Sequence, residues 1–142
     1  MRTLLLLLVL FLFEAVPATT GAGNPTRAFD RYGRIRWEDE KARLDNFAIQ
    51  VTNEPTATGY FLVNAGKLSC KGEAQEHAFR ARNYLMKVRQ IPWNRIIWRD
   101  TGYGDEFEVI MWIVPKGAYL DYEFTPPTAQ HIVRNCHGHA KP

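Results

Sequence analysis

The apolar residues of two stretches recur at the spacing of one helix face. The first stretch predicts a helix that begins near the acidic residues 38–40, since the N–H groups of a helix start favour negative charge, and ends at Pro55. The second predicts a helix over 74–88, whose small first residues allow close packing on a sheet. The two stripes are Leu44, Phe47, Ala48 and Val51, and Ala74, Ala78, Ala81, Leu85 and Val88.

Four further stretches have the pattern of strands. Ile35 and Trp37 alternate with Arg34 and Arg36, which indicates a short first strand. The other strands are predicted from apolar runs at 60–63, 95–98 and 107–114, with loops at 64–72 and 101–106. The order predicts an α+β fold, a β-α-β-α-β-β two-layer sandwich with two helices packed on one mixed sheet.

The last predicted strand is apolar on both faces, as Met111 and Trp112 illustrate, so both faces of the sheet need cover. Two helices cover one face, and the C-terminal tail or a partner protein must cover the other. Pro126 and Pro127 interrupt this tail, and we expect 118–142 to be partly disordered. The tail residues that can supply apolar cover are Tyr119, Leu120, Tyr122, Phe124, Ile132 and Val133.

The N-terminus has the pattern of a secretory signal peptide. Arg2 precedes ten apolar residues at 4–13, and small residues follow at the spacing that a signal peptidase reads. As a helix the run spans about 15 Å, about half of a bilayer's hydrocarbon core, which disfavours a membrane anchor. We predict a signal peptide at 1–18 with cleavage at 18–22, a flexible lead-in at 19–28, a domain at 29–117 and a tail at 118–142.

This leader predicts export to the periplasm or beyond as a soluble protein. No cysteine lies near the cleavage region, so we expect no lipid anchor. The net charge of +3 suits weak attraction to acidic polymers but is too small to indicate a nucleic-acid-binding protein. Enzyme activity and a cofactor are not expected, because Ser69 is the chain's one serine and nothing places two carboxylates across a cleft.

Two cysteines, Cys70 and Cys136, are candidates for a disulfide in an oxidising compartment, and two free thiols are the alternative. The tail also has the side chains of a zinc, copper or nickel site, with His131, His137 and His139 near Cys136. A loose tail supplies no fixed second shell of hydrogen bonds, so we predict no functional metal site.

The segments EDEKARLDNFAIQVTNEP, GYFLV, EAQEHAFRARNYLMKVRQIPWNRI and DTGYGDE occur in the order of a known family. Over about residues 29–115 the chain resembles the OmpA-like peptidoglycan-associated domain. Leu44 and Ala48 match the family's first-helix motif. The second helix and the segment after it are matched by Tyr84, Leu85, Ile91, Pro92, Arg95 and Ile96, and the glycine-rich turn by Gly102, Tyr103 and Gly104.

The resemblance implies a ligand site as well as a fold. In that family an Asp after the second strand and an Arg early in the second helix hold the diaminopimelate of peptidoglycan. The Arg pairs with a carboxylate and the Asp with an ammonium group. In this chain the Asp position falls near Asn64 and the Arg position on His77, so both formal charges are absent.

His77 can replace the family's Arg in a modified anion pocket together with Asn64, Lys67, Lys71 and Arg80. The N-terminal N–H groups of the second helix would add positive potential there. Alternatively, His77 packs at the helix edge, donates to a loop carbonyl and binds nothing.

Two functions follow as hypotheses. The first is a non-catalytic, exported cell-envelope protein with an OmpA-like fold that binds peptidoglycan or another anionic envelope polymer. The alternative is a protein–protein interaction module of the periplasm that uses an exposed sheet face. Exposed Trp93 or Trp98 would suit stacking on sugar rings or a protein partner, although such residues more often pack internally.

Overall fold

A computed structural model describes residues 25–123 of the chain. The predicted α+β architecture is confirmed, with two helices packed on one four-stranded mixed sheet. The elements are β1 (Ala28–Tyr32), α1 (Trp37–Asn53), β2 (Thr58–Ala65), α2 (Glu73–Lys87), a 3₁₀ turn (Trp93–Arg95), β3 (Ile96–Tyr103) and β4 (Glu108–Val114). The predicted leader, its cleavage region, Cys136 and the histidine-rich tail lie outside the described residues. Within 25–123, no helix is long and apolar enough to cross a membrane.

The strands lie in the order β1-β4-β2-β3. The pairs β1–β4 and β4–β2 are antiparallel, whereas β2 and β3 are parallel. Parallel neighbours need a long crossover connection, and α2 supplies it. The two helical stripes pack on the same sheet face, against Phe61, Val63, Val109 and Met111. Val88 is the exception: it follows the last residue of α2 and is exposed, so its predicted place in the second stripe is wrong. β4 lies between β1 and β2, and its two faces pack in separate apolar clusters, which explains its apolar residues on both faces.

The prediction of a strand at Ile35 and Trp37 is wrong. Trp37 is the first residue of α1, and the carbonyl of Arg36 accepts a hydrogen bond from the N–H of Glu40 at 3.0 Å. The acidic residues that follow Trp37 favour the positive end of the helix dipole, so the helix extends over the short alternating pattern. Ile35 and Trp37 pack against the core, and the first strand is β1, paired with β4.

Two strands run into segments that the sequence predicts as loops. β2 continues through Ala65, and β3 continues through Tyr103. The pairing of β2 with β3 shifts between Val63 and Ala65, which accommodates one extra residue in β3. Near this shift Thr101 is buried, and its hydroxyl donates to the Val63 carbonyl at 3.2 Å. The polar Thr101 can therefore lie in a buried part of the sheet, because its hydroxyl has a hydrogen-bond acceptor there.

The helix-free face of the sheet is covered in part by the segment that follows β4. Its Ala118, Leu120 and Tyr122 pack on a buried group, so the expectation of cover is confirmed for Leu120 and Tyr122. The carbonyl of Tyr119 accepts hydrogen bonds from the backbone N–H and hydroxyl of Thr26. The predicted domain bounds of 29 and 117 stay a prediction, and the described contacts include Thr26 before β1 and Tyr122 after β4. The buried group is Leu62, Ile110, Trp112 and Val114.

Candidate functional site

A groove of about 810 Å³ lies along the first half of α2. Its helical wall comes from the stripe opposite the buried alanines, which presents Glu76, Phe79, Arg80 and Asn83 at i, i+3, i+4 and i+7. The β1–α1 connection and the residue before β4 form the other side. The full lining is Arg34, Ile35, Glu73, Glu76, His77, Phe79, Arg80, Asn83 and Phe107.

The floor of this region is organised by Glu40, a carboxylate with no solvent exposure in the first turn of α1. Its Oε1 accepts from the Tyr32 hydroxyl at 3.0 Å and lies 2.5 Å from His77 Nε2. Its Oε2 accepts from Arg80 Nη2 at 3.0 Å. A buried carboxylate is tolerated only with such partners, so Glu40 ties β1, α1 and α2 to one another.

Tyr32 is a permanent donor in this network. Burial raises the pKa of its hydroxyl far above 10, and the charge of Glu40 and the hydrogen bond to it raise it further. The charge of Asp30 acts in the same direction, whereas Arg43 opposes the shift. The phenol therefore keeps its proton at any physiological pH and donates a hydrogen bond to Glu40.

His77 serves the same carboxylate, and its side chain is only 12% exposed. Its Nδ1 lies 3.3 Å from Arg80 Nη2, and because an arginine only donates, Nδ1 must be the acceptor. Nε2 faces Glu40 Oε1, where it is placed to donate a hydrogen bond. The ring lies between Phe61 and Phe107, at 6.5 and 5.0 Å between centroids. His77 thus packs at the helix edge, but it donates to a carboxylate instead of a loop carbonyl.

Arg80 is held in place by contacts of its Nη2 atom. Nη2 contacts Glu40 and His77, and the guanidinium lies 4.5 Å above the ring of Trp37. Within residues 25–123, its Nη1 and Nε have no hydrogen-bond partner, and the side chain is 40% exposed beside the groove. An oriented guanidinium with unused N–H groups is suited to bind a carboxylate.

A second ionic cluster holds the loop between β2 and α2 at the end of the groove. Arg34 Nη1 donates to Glu73 Oε1, and Arg34 Nη2 donates to the buried Ser69 hydroxyl at 2.9 Å. Ser69 Oγ also accepts from the Gly66 N–H, and Glu73 Oε2 accepts from the Cys70 N–H. Burial alone would raise the pKa of Glu73, but the hydrogen bonds from Arg34 and Cys70 outweigh it and lower the pKa.

The variant Glu73→Gln should lose a pH-dependent part of the stability. The pKa of Glu73 is lower in the fold than its ordinary value of 4.5, so its contribution is fully present above that pH. The contribution is lost as the pH falls through the lowered folded value. In urea unfolding, the free energy of unfolding of the variant should therefore be lower than that of wild type at about pH 7, and this difference should shrink towards about pH 3. The control is Glu76→Gln on the same helix, and a Glu73→Gln difference that does not change with pH would contradict this account.

The structure brings together two of the five predicted site residues, His77 and Arg80. Asn64 is wrongly predicted as a loop residue, because it lies within β2. Strand alternation places it with Tyr60 and Leu62 on the helix-free face, away from His77. Lys67 pairs with Asp105 at 2.5 Å and Lys71 is exposed, and neither lines the groove.

The sequence analysis missed Arg34, Glu40, Glu73 and Glu76 as site residues. One signal was present for Glu40, because it continues the apolar stripe of α1 one turn before Leu44. An acidic residue at a position of the buried face needs partners, and this spacing could have indicated a polar network. No comparable pattern marks the other three residues.

The carboxylates of the groove do not have the arrangement of a paired-carboxylate hydrolase. Glu73 and Glu76 lie one turn apart on the same helix, not across a cleft. A general acid needs a raised pKa, whereas the pKa of Glu73 is lowered. Among residues 25–123, no group of three or more His, Cys, Asp or Glu side chains could hold a metal ion.

No described cysteine is a free thiol, and Cys70 is the one cysteine within 25–123. Its predicted partner, Cys136, lies outside the described residues, so the pairing stays a prediction.

No protein-family model, curated protein or solved structure gives a significant match to the chain. The resemblance to the OmpA-like family therefore stays a prediction, and the geometry of the groove carries the functional argument.

Proposed function

We propose that this protein is a non-catalytic, exported envelope protein with an OmpA-like fold that binds peptidoglycan through the groove along α2. The observation that supports this most is Arg80, oriented by Glu40 and His77 with Nη1 and Nε unpaired within the described residues. Its ligand would be a carboxylate of the peptidoglycan stem peptide. A bidentate pair of this kind is among the stronger polar contacts in proteins.

Glu76 would take the ammonium group of the same ligand. It lines the groove one turn before Arg80, and no residue within 25–123 forms an ion pair with it. Side chains at i and i+4 are neighbours on a helix surface. An amino-acid centre that carries both an ammonium and a carboxylate group can therefore contact Glu76 and Arg80 together.

This proposal moves the charged pair relative to the resembling family. The position implied for the Arg holds His77, which no longer binds ligand but orients Arg80 three residues later. The acidic partner comes from α2 instead of the loop after β2. The change is consistent with the uncharged Asn64, whose side chain lies on the other sheet face beside Gly104.

The alternative of a protein–protein interaction module has less support. It requires an exposed sheet face, and Ala118, Leu120 and Tyr122 cover part of that face. A concentration-dependent size on gel filtration, abolished by a polar substitution at the exposed Tyr119 of the covering segment, would favour it.

Sedimentation with purified sacculi tests the proposed function. Arg80→Lys keeps the positive charge beside Glu40 but removes the second N–H pair, so we expect sacculus affinity to fall by about tenfold. Free diaminopimelate should release the wild-type protein. Arg99→Lys, an exposed arginine outside the groove, is the matched control and should bind like wild type.

Two results would contradict the proposal. One is wild-type protein that stays in the supernatant, and the other is an Arg80→Lys variant that sediments like wild type. A third result would change the ligand that we propose. If the protein binds a peptide-free anionic polymer and diaminopimelate does not displace it, the ligand is that polymer and not peptidoglycan. Thermal unfolding of each variant shows whether it is folded at the assay temperature.

A further inference from the structure

The helical wall of the groove includes an exposed aromatic side chain. Phe79 lines the groove and is 46% exposed, although its position on α2 belongs to the stripe of polar residues. Its ring lies 4.7 Å from that of Trp98 on β3, at an interplanar angle of 53°. We call these two residues the aromatic platform.

Internal packing accounts for Trp98 but not for Phe79. Trp98 packs against the hydrophobic core, whereas nearly half of Phe79 remains in contact with water. A polar residue at this position would avoid exposing apolar surface, as Glu76 and Asn83 do on the same stripe. Exposed aromatic surface within a groove is typical of a binding site.

The surroundings of Phe79 indicate the chemistry of the ligand. Asn83 is one turn further along the helix and Arg80 is the next residue, and both line the groove. A pyranose ring has an apolar C–H face and a rim of hydroxyl groups. The C–H face packs on an aromatic ring, while a planar amide can donate to and accept from the rim.

We propose that the aromatic platform binds an N-acetylhexosamine ring, with Phe79 stacked on its apolar face and Asn83 at its polar rim. Resting on the proposed function, this ring belongs to the glycan strand to which the stem peptide is attached. Because Phe79 and Arg80 are consecutive, one ligand that carries sugar and peptide can occupy both positions. The groove would then distinguish a glycan-linked peptide from a free one.

Titration of the folded protein with N-acetylglucosamine tetramer tests the platform without any peptide. The signals to follow are the Trp98 indole N–H and the Phe79 backbone amide in NMR spectra. We expect saturable shifts, with affinity about tenfold lower in Phe79→Ala and close to wild type in Phe79→Trp. Ile49→Ala removes a similarly exposed apolar residue from α1, outside the groove, and should bind like wild type.

The platform is overturned if the wild-type signals do not shift at about 10 mM sugar, where even a millimolar Kd gives near-saturation. It is also overturned if Phe79→Ala binds as tightly as wild type. Failure of the proposed function looks different, because loss of peptide-dependent sacculus binding leaves the sugar titration unchanged. Conversely, a protein that binds free stem peptide but not the tetramer retains the proposed function and loses the platform.

Discussion

Replacing Glu40 with alanine should lower the free energy of unfolding by about 3–5 kcal/mol, because each buried donor that loses its acceptor costs about 1–3 kcal/mol. The loss would leave the Tyr32 hydroxyl, His77 Nε2 and Arg80 Nη2 without the oxygen atoms that they contact. Small domains have only about 5–15 kcal/mol of stability in total. The variant should therefore lose a large share of its stability and unfold at a clearly lower urea concentration than wild type.

Urea unfolding of Glu40→Ala, Glu40→Gln and Glu38→Ala measures this effect. Glu40→Gln keeps the shape and one acceptor oxygen, so it should be less destabilised than Glu40→Ala. Glu38 is in the same helical turn, but its side chain is 74% exposed and, among residues 25–123, pairs with Lys41 alone. Its removal should cost less than about 0.5 kcal/mol. A Glu40→Ala variant within about 1 kcal/mol of wild type would show that the buried network does not hold the fold together.

The variant Gly66→Ala should be destabilised by about 2 kcal/mol or more. A Cβ at this position would lie 2.4 Å from the backbone nitrogen of Phe107 and 2.7 Å from the carbonyl carbon of Glu106. These are backbone atoms just before β4, so they cannot rotate away as a side chain would. The displacement would also break the Gly66 N–H bond to Ser69, and Ser69 in turn binds Arg34.

Gly33→Ala is the matched control for this effect. A Cβ at Gly33 would be 3.5 Å from the carbonyl oxygen of Phe107, an ordinary contact. Its stability should stay within about 0.5 kcal/mol of wild type, as for most tolerated surface changes. Equal destabilisation of the two variants would point to a general cost of removing glycine and contradict the close approach at Gly66.

The sequence predicts the helices well because each has a clear apolar stripe over three or more turns. Their packing on a mixed sheet also follows from the order of the elements. The first strand could not be predicted, because β1 has no apolar alternation: only Tyr32 is buried in it. The short pattern at Ile35 and Trp37 competes with the helix start that follows it, and the helix includes Trp37.

The candidate site was predictable only in part. The region at the start of α2 and two of its residues, His77 and Arg80, could be identified from the resemblance and the local charge. The role of His77 could not, because it depends on Glu40, which is 37 positions away in the chain. The prediction that Asn64 lies in a loop is wrong for a simpler reason. β2 extends by two residues beyond its apolar run, and the alternation of the strand places Asn64 on the other face of the sheet.

The central claim is that Arg80, held by Glu40 and His77, binds a ligand carboxylate in the groove. Calorimetric titration of wild-type protein with two forms of one diaminopimelate-containing stem peptide tests it most directly. In one form the side-chain carboxylate of diaminopimelate is free, and in the other it is amidated. We predict that the free acid binds about tenfold or more tightly than the amide, because only the free acid forms a charged bidentate pair. Equal affinity for the two peptides would contradict the claim.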